Sequence, residues 1–305
     1  MKNKIYRSPL FYVGDKFKLI AEIREYFPNK INKFIEPFAG GGSVFLNIEA
    51  TEYILNDIDK QVYQLHNFLI RQSTNQMKFI SDIEKIIDEY KLSKSFREDI
   101  VPKKLKEEWK KTYYAKFNKA GFEKLKNDYN TGKKKSPLHL YVLLIFGFNR
   151  MLRFNSNGKY NLPVGNVDFN KNVLNALNDY FHIVSSKTII WKNIDYLKFL
   201  QSITINKTDF VYFDPPYLIT FSEYNKLWNE TKEMELLNSI DKLNAKGIRF
   251  AISNVTNYKG KTNELFLKWS KKYNVYSIKS NYISYHDNTI KNFKEILVTN
   301  YGKRI

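Results

Sequence analysis

Four consecutive residues, Asp214-Pro215-Pro216-Tyr217, are the part of this chain whose types and order best suit chemistry. They follow the apolar run 210–213, which predicts a short buried strand. Because proline cannot continue a sheet, the tetrapeptide predicts a stiff loop at the carboxyl end of that strand, where open α/β sheets bind ligands. A carboxylate, a fixed backbone carbonyl and a stacking ring suit a planar base that bears an amino group. The alternative is a proline-rich turn with a capping aspartate.

The segment that begins at residue 33 predicts a strand, a tight loop, a helix and a second strand. Residues 33–38, Lys-Phe-Ile-Glu-Pro-Phe, predict a strand that breaks at the proline. Residues 39–43, Ala-Gly-Gly-Gly-Ser, predict a tight loop, and residues 44–50 predict a helix with Ser43 as its N-cap. Residues 53–55 predict the second strand.

Asp57 follows that second strand, and its position suggests that the glycine loop and this acid bind a ligand together. Glycines let the backbone approach a ligand closely, and an acid at the end of the second strand can accept hydrogen bonds from a ribose diol. The combination favours a site for a nucleoside-type cofactor over a plain turn beside an exposed acid. The loop lacks the lysine of a phosphate-binding loop, which argues against a kinase or an ATPase.

The composition limits the classes of protein that fit. The chain has 305 residues, of which 43% are hydrophobic, enough for one large domain or two smaller ones. The net charge of +19 points to a polyanion such as nucleic acid, although an A+T-rich genome would also enrich lysine. With no cysteine and four histidines, disulfides are excluded and no metal site is expected. Without a signal peptide or a long apolar run, we expect a soluble, cytoplasmic protein and no membrane partner.

The chain separates into three regions by their periodicity. Residues 1–66 and 181–305 have an α/β rhythm, and the second of these predicts a helix at 234–243, a strand at 249–253 and a closing hairpin from 275–278 and 295–299. Residues 67–180 are mostly helical, with lysines and aromatic residues interleaved at 103–135 and a buried helix at 138–148. Residues 153–166 have the pattern of a hairpin or an ordered loop.

Four segments, in order, resemble the Dam-type DNA adenine-N6 methyltransferases, the alpha group or D12 class. They are residues 10–16, residues 36–47, residues 149–166 and the Asp214–Tyr217 tetrapeptide. The resemblance implies a Rossmann-like class I methyltransferase sheet with an inserted, mostly helical DNA-recognition domain. In that scheme, residues 1–66 and 181–305 form the methyltransferase domain and residues 67–180 the target-recognition domain.

The resemblance also implies S-adenosyl-L-methionine as the cofactor. Tyr12 and Lys16 match the motif at the methionine end, although the family usually has Trp where this chain has Tyr12. Asp57 matches the acid on the ribose hydroxyls, and Asp195 stands where a polar residue contacts the adenine; its alternative role is to cap the helix that follows. The remaining cofactor-binding residues implied by the match are Pro37, Phe38, Ala39, Gly40, Gly42 and Asp214.

The chemistry of the family explains the tetrapeptide. The exocyclic nitrogen of adenine is a poor nucleophile because its lone pair is delocalised into the ring. The Asp214 carboxylate and the Pro215 carbonyl can hold its two N–H groups and direct the lone pair at a sulfonium methyl group, so positioning and electrostatics suffice without a metal. Pro216 stiffens the loop, and Tyr217 offers its ring face to a base flipped out of duplex DNA.

DNA recognition is implied for the middle region. The matching residues are Phe148, Asn149, Arg150, Arg153, Asn155, Lys159, Asn161 and Asn166. Arginine can bond a guanine edge and asparagine an adenine edge. Arg150 replaces a family glycine, and Asn166 replaces an arginine of GATC-specific members, which argues against GATC as the site. The lysines at 103–135 are either phosphate contacts or a solvated surface.

The sequence therefore predicts a site-specific adenine-N6 methyltransferase that acts on double-stranded DNA, as an orphan enzyme or beside a cognate restriction endonuclease. The open alternatives are an RNA adenine or DNA cytosine-N4 methyltransferase, a catalytically silent DNA-specificity subunit and, more distantly, a nicotinamide-dependent oxidoreductase. The aspartate that begins the tetrapeptide favours adenine over cytosine.

Overall fold

A computed structural model describes residues 4–220, 228–279 and 293–302, and its centre is a mixed sheet. The strands are β1 Lys33–Glu36, β2 Glu52–Asn56, β3 Thr188–Lys192, β4 Phe210–Phe213, β5 Arg249–Tyr258, β6 Lys261–Thr262, β7 Asn274–Ile278 and β8 Lys294–Thr299. The sheet order is β3-β2-β1-β4-β5-β8-β7, with β6 paired to β5. Strands β3, β2, β1, β4 and β5 are parallel, whereas β8 runs antiparallel to both of its neighbours.

The strand order reverses between β1 and β4. The chain moves outward from β1 through β2 to β3, then returns to place β4 on the other side of β1. The loops after β1 and β4 therefore leave the same edge of the sheet side by side, and such a crevice is where open α/β sheets bind their ligands. The glycine loop follows β1 and the Asp214 loop follows β4, so the topology alone brings the two predicted segments together.

Ten helices of the described residues pack around the sheet. They are α1 Ile20–Ile23, α2 Lys60–Gln72, α3 Gln76–Glu89, α4 Lys103–Glu108, α5 Tyr113–Asn130, α6 Pro137–Phe146, α7 Lys171–Ser185, α8 Tyr196–Gln201, α9 Glu230–Ala245 and α10 Glu264–Ser270. Side chains at the N-caps satisfy the first backbone N–H groups of several of them, as Asp59 does for α2 and Ser136 for α6. Among the described residues, no helix is both long and apolar enough to cross a bilayer.

The two faces of the sheet are covered by different helices. On one face Phe34, Tyr53 and Tyr212 pack against a core that continues through α2, α3, α5, α6 and α7. On the other face Ile35 and Val211 pack against α8, α9 and α10. The alternation along each strand follows from its two-residue period. Five of the six α-helices between β2 and β3, all except α4, thus share a buried core with one face of the sheet.

Most of the predicted elements are present, with small differences at their ends. The strands at 33–38, 53–55, 210–213 and 249–253 and the helix at 234–243 are confirmed, and β7 and β8 form the expected antiparallel pair. The domain boundaries predicted at 66/67 and 180/181 fall within α2 and α7. A buried core runs across both boundaries, and the division into two domains remains a prediction.

The prediction of a helix at residues 44–50 was wrong. Only a single 3-10 turn forms there, at Phe45–Asn47, and no side chain caps it. The chain becomes extended at Ile48 and must reach Glu52, which pairs with Lys33 at the start of two parallel strands. Ser43 instead donates its hydroxyl hydrogen to Asp15 Oδ2 at 2.9 Å, and so attaches the N-terminal segment to the glycine loop.

Candidate active site

The Asp214 loop and the N-terminal segment meet in a buried ion pair. Lys16 Nζ donates to Asp214 Oδ1 and to Tyr217 Oη, each at 2.7 Å, and Tyr217 Oη donates to Asp214 Oδ1 at 2.8 Å. Both donors therefore converge on one carboxylate oxygen. Among the described residues, no hydrogen bond uses Asp214 Oδ2 or the carbonyl of Pro215. The structure thus fixes one oxygen of Asp214 and leaves its second oxygen available as an acceptor.

A second carboxylate lies behind this pair. Glu295, in β8, has its Oε1 3.2 Å from Tyr217 Oη and 3.6 Å from Lys16 Nζ. The side chain of Glu295 is fully buried and that of Lys16 is 2% exposed. Burial opposes the charge on Lys16, but the carboxylates of Asp214 and Glu295 outweigh it, and the pKa of Lys16 is raised well above its usual value. Lys16 is therefore an ammonium group throughout the physiological range.

The glycine loop is held from both sides by hydrogen bonds to Gly40. The N–H of Gly40 donates to Asp57 Oδ2 at 2.8 Å, and His66 Nε2 lies 2.9 Å from the Gly40 carbonyl. Gly40 and Gly42 have φ values of +48° and +78°, which favour glycine. A Cβ at Gly42 would lie 2.3 Å from the Phe45 ring. A side chain at Gly42 would therefore be both strained and crowded by Phe45.

Tyr12 lies against the other side of the loop. A Cβ at Gly41 would meet the Tyr12 side chain at 2.5 Å, and one at Gly40 would be 3.5 Å from its ring. Tyr12 therefore packs directly against the glycine loop. Pro37 and Ala39 connect the loop to β2, because Asn56 Nδ2 donates to the Pro37 carbonyl at 3.0 Å and the N–H of Ala39 donates to the Asn56 carbonyl at 2.9 Å.

Asp57 is a carboxylate whose affinity for protons is altered by its surroundings. Burial raises its pKa to about 6, in opposition to the backbone N–H groups of Asp59 and Gly40, which favour the ionised form. The side chain of Asn193 donates to the Asp57 carbonyl at 2.7 Å and fixes the end of β2. An acceptor of this kind, close to a glycine loop, suits a pair of vicinal hydroxyls.

His66, in α2, was not singled out by the sequence. It stacks on Trp191 at a ring-centroid distance of 4.2 Å, and its Nδ1 lies 3.2 Å from Tyr180 Oη. Since the Gly40 carbonyl can only accept, His66 Nε2 carries the hydrogen and Tyr180 donates to Nδ1. Burial lowers the pKa of His66 to about 4, so this tautomer is neutral at physiological pH. The sequence shows His66 only as a histidine among the apolar positions of α2. Such a position usually indicates packing in a core and not a functional role.

An aromatic cluster lines the other end of the crevice. The Phe38 ring lies 5.1 Å from that of Tyr196 and 5.8 Å from that of Trp228. Asp195 Oδ1 accepts from the N–H groups of Leu197 and Lys198 and caps α8, as its alternative role predicted. Tyr196 and Trp228 were not predicted as site residues. Their signal was weak, because an isolated aromatic residue usually belongs to a core.

The predicted DNA-contacting residues lie on one irregular segment. Arg153 and Asn161 pair in a small hairpin, where Arg153 Nε donates to Asn161 Oδ1 at 2.9 Å. Asn155 Oδ1 accepts from the N–H of Lys159 at 3.0 Å and so shapes the hairpin turn. Phe148 is 45% exposed. Arg153 is therefore held in place by its neighbours, and Lys159 is exposed at the hairpin tip.

Three residues of this set have structural contacts that the sequence did not reveal. Asn149 and Arg150 have φ values of +53° and +50°, and the Arg150 guanidinium lies 4.0 Å from the centre of the Phe11 ring. Burial lowers the pKa of Arg150 to about 10. Asn166 Oδ1 accepts from the N–H groups of Tyr114 and Ala115, at the start of α5. The side-chain amide of Asn166 is thus hydrogen-bonded to the N-terminal end of α5.

The residues of the crevice fit a cofactor made of a nucleoside and a charged sulfur. The glycine loop packs so closely on Tyr12 and Phe45 that it carries no side chain at Gly41 or Gly42, Asp57 provides an acceptor beside it, and the carboxylates of Asp214 and Glu295 lie next to Lys16. Within the described residues, no cluster of three or more His, Asp or Glu side chains could hold a metal ion. The sheet and the site together define a Rossmann-like α/β fold of the class I methyltransferase type.

The chain belongs to the D12 class N6 adenine-specific DNA methyltransferase family, whose sequence profile matches residues 12–283. The family that the four sequence segments predicted is thereby confirmed. Type II methyltransferase M.FokI of Planomicrobium okeanokoites is 37% identical over 98% of this chain, and modification methylase StsI of Streptococcus sanguinis is 36% identical over the same share. A DNA adenine methylase of Haemophilus influenzae is 30% identical over 74% of this chain and 69% of its own length. The chain spans 43% of the length of each of the first two relatives.

Proposed function

We propose that this chain transfers a methyl group from S-adenosyl-L-methionine to N6 of an adenine in a short sequence of duplex DNA. The observation that carries the proposal is the geometry at Asp214. Lys16 and Tyr217 fix its Oδ1, while Oδ2 and the Pro215 carbonyl remain as a pair of acceptors for an amino group with two N–H bonds. Family membership supports the choice of adenine.

The cofactor proposal rests on the residues around the glycine loop. Gly40 and Gly42 would lie against the cofactor, Asp57 would accept from its ribose hydroxyls, and Phe38 with the cap residue Asp195 would border its adenine. Tyr12 and Lys16 would border the methionine end. When bound, this cofactor supplies an electrophilic methyl group on a positively charged sulfur.

The chain itself contributes orientation and charge rather than a covalent intermediate. Asp214 and Pro215 accept from the two N–H groups of the adenine and so direct the nitrogen lone pair towards the methyl group. Pro216 keeps the loop stiff, and the Tyr217 ring stacks on the flipped base while its hydroxyl holds Asp214. Stacking of about 1–3 kcal/mol offsets part of the free energy needed to unstack the base.

We propose that the helical region, about residues 67–180, recognises the DNA site. Arg153, oriented by Asn161, would contact a base edge, and Phe148 would intercalate beside the target. The same DNA-contacting segment would include Asn149, Asn155, Lys159 and Asn161. Asn166 and Arg150 would act mainly by shaping this surface, because both are held by contacts within the protein.

A biological setting follows from the relatives' names. Two of them are a Type II methyltransferase and a modification methylase, and on that ground we place this chain in restriction-modification, with a cognate endonuclease as its partner. An orphan role is the alternative, since other relatives are named DNA adenine methylases.

The test is transfer of tritiated methyl groups from S-adenosylmethionine to duplex DNA and to RNA, followed by nucleoside analysis. We expect N6-methyladenine in DNA only, at one short sequence when the DNA is examined by modification-sensitive sequencing. N4-methylcytosine or methylated RNA would favour the corresponding alternative enzyme. No transfer to either polymer, with DNA binding intact, would favour a silent specificity subunit.

A further inference from the structure

The cluster beneath the Asp214 loop has more negative than positive charge. It contains one ammonium group, Lys16, and two carboxylates, Asp214 and Glu295, so its net charge is −1 when all three are ionised. Lys16 is closer to Asp214, at 2.7 Å, than to Glu295, at 3.6 Å. The Lys16–Asp214 pair is therefore nearly neutral as a unit, and the carboxylate of Glu295 supplies the excess charge.

The burial of Glu295 is energetically unfavourable. It is fully buried in β8, where its strand partners are Val255 and Ile278, and its Oε2 has no hydrogen-bond partner among the described residues. A buried carboxylate without full compensation destabilises a fold unless it takes up a proton or a cation completes its surroundings. An apolar residue here would leave the Lys16–Asp214 pair intact. A cation that joined the cluster in a bound state would stabilise the ionised form of Glu295.

We propose that the Lys16–Asp214–Glu295 cluster selects the positively charged methyl donor over its uncharged thioether product. The inference rests on the proposed function, which requires the sulfonium methyl group to lie within about 3–3.5 Å of the amine that Asp214 holds. The methyl group moves to the amine nitrogen as its C–S bond breaks, the bonding pair stays on sulfur and makes it neutral, and the displaced N–H proton is released to solvent. The attraction that held the donor is then lost, so the cluster also favours release of the product.

The amino group of the cofactor's methionine part is a competing cation. It is present in the donor, S-adenosylmethionine, and in the product, S-adenosylhomocysteine. If Glu295 compensated that amino group, its loss would weaken both ligands equally. If Glu295 stabilised only the fold, both affinities would again change together. The ratio of the two dissociation constants therefore separates charge selection at sulfur from both other roles.

The experiment measures the Kd of S-adenosylmethionine and S-adenosylhomocysteine for the DNA-free protein by calorimetry at pH 8. Burial raises the pKa of Glu295, with Lys16 acting against the shift, and an alkaline pH is chosen because it favours the ionised form. Glu295→Gln should reduce the preference for the charged ligand about tenfold, the expected scale for one charge several ångströms away in a partly screened site. Glu295→Asp keeps the charge and should keep the ratio. Glu52→Gln, at the opposite edge of the sheet, is the matched control and should leave both constants unchanged.

An unchanged ratio in Glu295→Gln would overturn the inference, whether both affinities stay the same or both fall by the same factor. Failure of the wild-type protein to bind S-adenosylmethionine at all would instead refute the proposed function itself.

If Glu295→Gln does not fold, the wild-type ratio at pH 8 and pH 5.5 carries the test. Because burial raises the pKa of Glu295, acidification favours its protonated form and should lower the preference for the charged ligand, whereas a constant ratio would contradict the inference. Lys16, Asp214 and Tyr217 face Glu295, and Glu36 is a further buried acid near Asp214, so the Glu36→Gln variant separates its contribution. Asp57 would contact the ribose that both ligands share, so its titration cancels in the ratio.

Discussion

Asp214 is useful because its two oxygens have different surroundings. Oδ1 accepts from Lys16 and Tyr217, and Oδ2 has no hydrogen bond within the described residues. The sequence predicted Asp214 from the tetrapeptide alone, and the family resemblance supplied Lys16. Glu295 could not be predicted, because it is an acid at the start of an apolar strand, 78 residues from the hydroxyl of Tyr217 that it contacts. Nothing local in the sequence distinguishes such an acid from a strand-end charge.

A prediction at the residue scale concerns Asp57. Its folded pKa, about 6, lies above the ordinary value of 3.8 because of burial. As the pH falls through 6 the carboxylate gains a proton and loses strength as an acceptor for the ribose. We expect the Kd of S-adenosylmethionine, measured by calorimetry, to rise by up to about tenfold for each pH unit below about 6.

The sign of the accompanying stability change separates this effect from unfolding. A raised pKa means that the ionised form is disfavoured in the fold, so protonation of Asp57 stabilises the ligand-free protein relative to its unfolded state below pH 6. Weaker binding at pH 5 would thus not arise from unfolding driven by Asp57. Asp57→Asn should bind weakly with a smaller pH dependence. A wild-type Kd that stayed constant from pH 8 to pH 5 would refute this role.

At the scale of elements, the crevice is assembled from loops that follow β1, β2 and β4. Sequence patterns predicted the three strands, and chain topology explains why their ends meet. The helix wrongly expected at residues 44–50 shows the limit of local signals. Its composition permits a helix, but the short path to Glu52 and the pairing of β2 with β1 require extended chain. Contacts such as His66 with Gly40 were likewise unpredictable, since they depend on how α2 packs.

Gly42 allows a test of the loop that separates backbone strain from crowding. Gly42 and Gly260 have the same φ of +78°, but a Cβ at Gly42 would lie 2.3 Å from Phe45, whereas one at Gly260 would meet nothing within 4 Å. Gly260→Ala should lower the free energy of unfolding by about 1–2 kcal/mol through the backbone alone. Gly42→Ala should lower the free energy of unfolding by the same backbone effect and by about 1–3 kcal/mol more from overpacking. It should also weaken cofactor binding.

Chemical denaturation and calorimetry measure the two effects. Equal destabilisation by the two substitutions, with cofactor affinity retained in Gly42→Ala, would mean that the loop tolerates a side chain. The proposed close approach of the cofactor to the glycine loop would then be wrong.

At the scale of the whole molecule, one basic helical region adjoins one face of the sheet. The sequence predicted the α/β ends, the helical middle and a polyanionic partner from the net charge of +19. It did not predict that α2 and α7 share a core with the sheet, because amphipathic periodicity shows which face of a helix is buried but not against what. The domain boundaries at 66/67 and 180/181 stay predictions for the same reason.

The exposed lysines of α5 provide a test of the DNA-binding surface. Replacing Lys116, Lys119 and Lys124 together by Gln should weaken DNA binding and reduce the slope of log K against log salt by up to about 3, or about 0.9 per phosphate contact. The matched control replaces three exposed lysines on α9, its C-terminal end and α10: Lys242, Lys246 and Lys268. Fluorescence anisotropy with duplex DNA at several salt concentrations gives both slopes. Equal changes in the two triple variants would show that net charge, and not this surface, determines binding.

The central claim is that Asp214 holds the amino group of a flipped adenine for methyl transfer. The most direct measurement is single-turnover transfer to duplex DNA, with the product nucleosides identified by mass spectrometry, for the wild type, Asp214→Ala and the surface control Asp82→Ala. We expect N6-methyladenine from the wild type and the control. For Asp214→Ala we expect a rate lower by about 10³-fold or more, while DNA and cofactor binding persist. Full activity in Asp214→Ala, or a methylated base other than adenine from the wild type, would contradict the central claim.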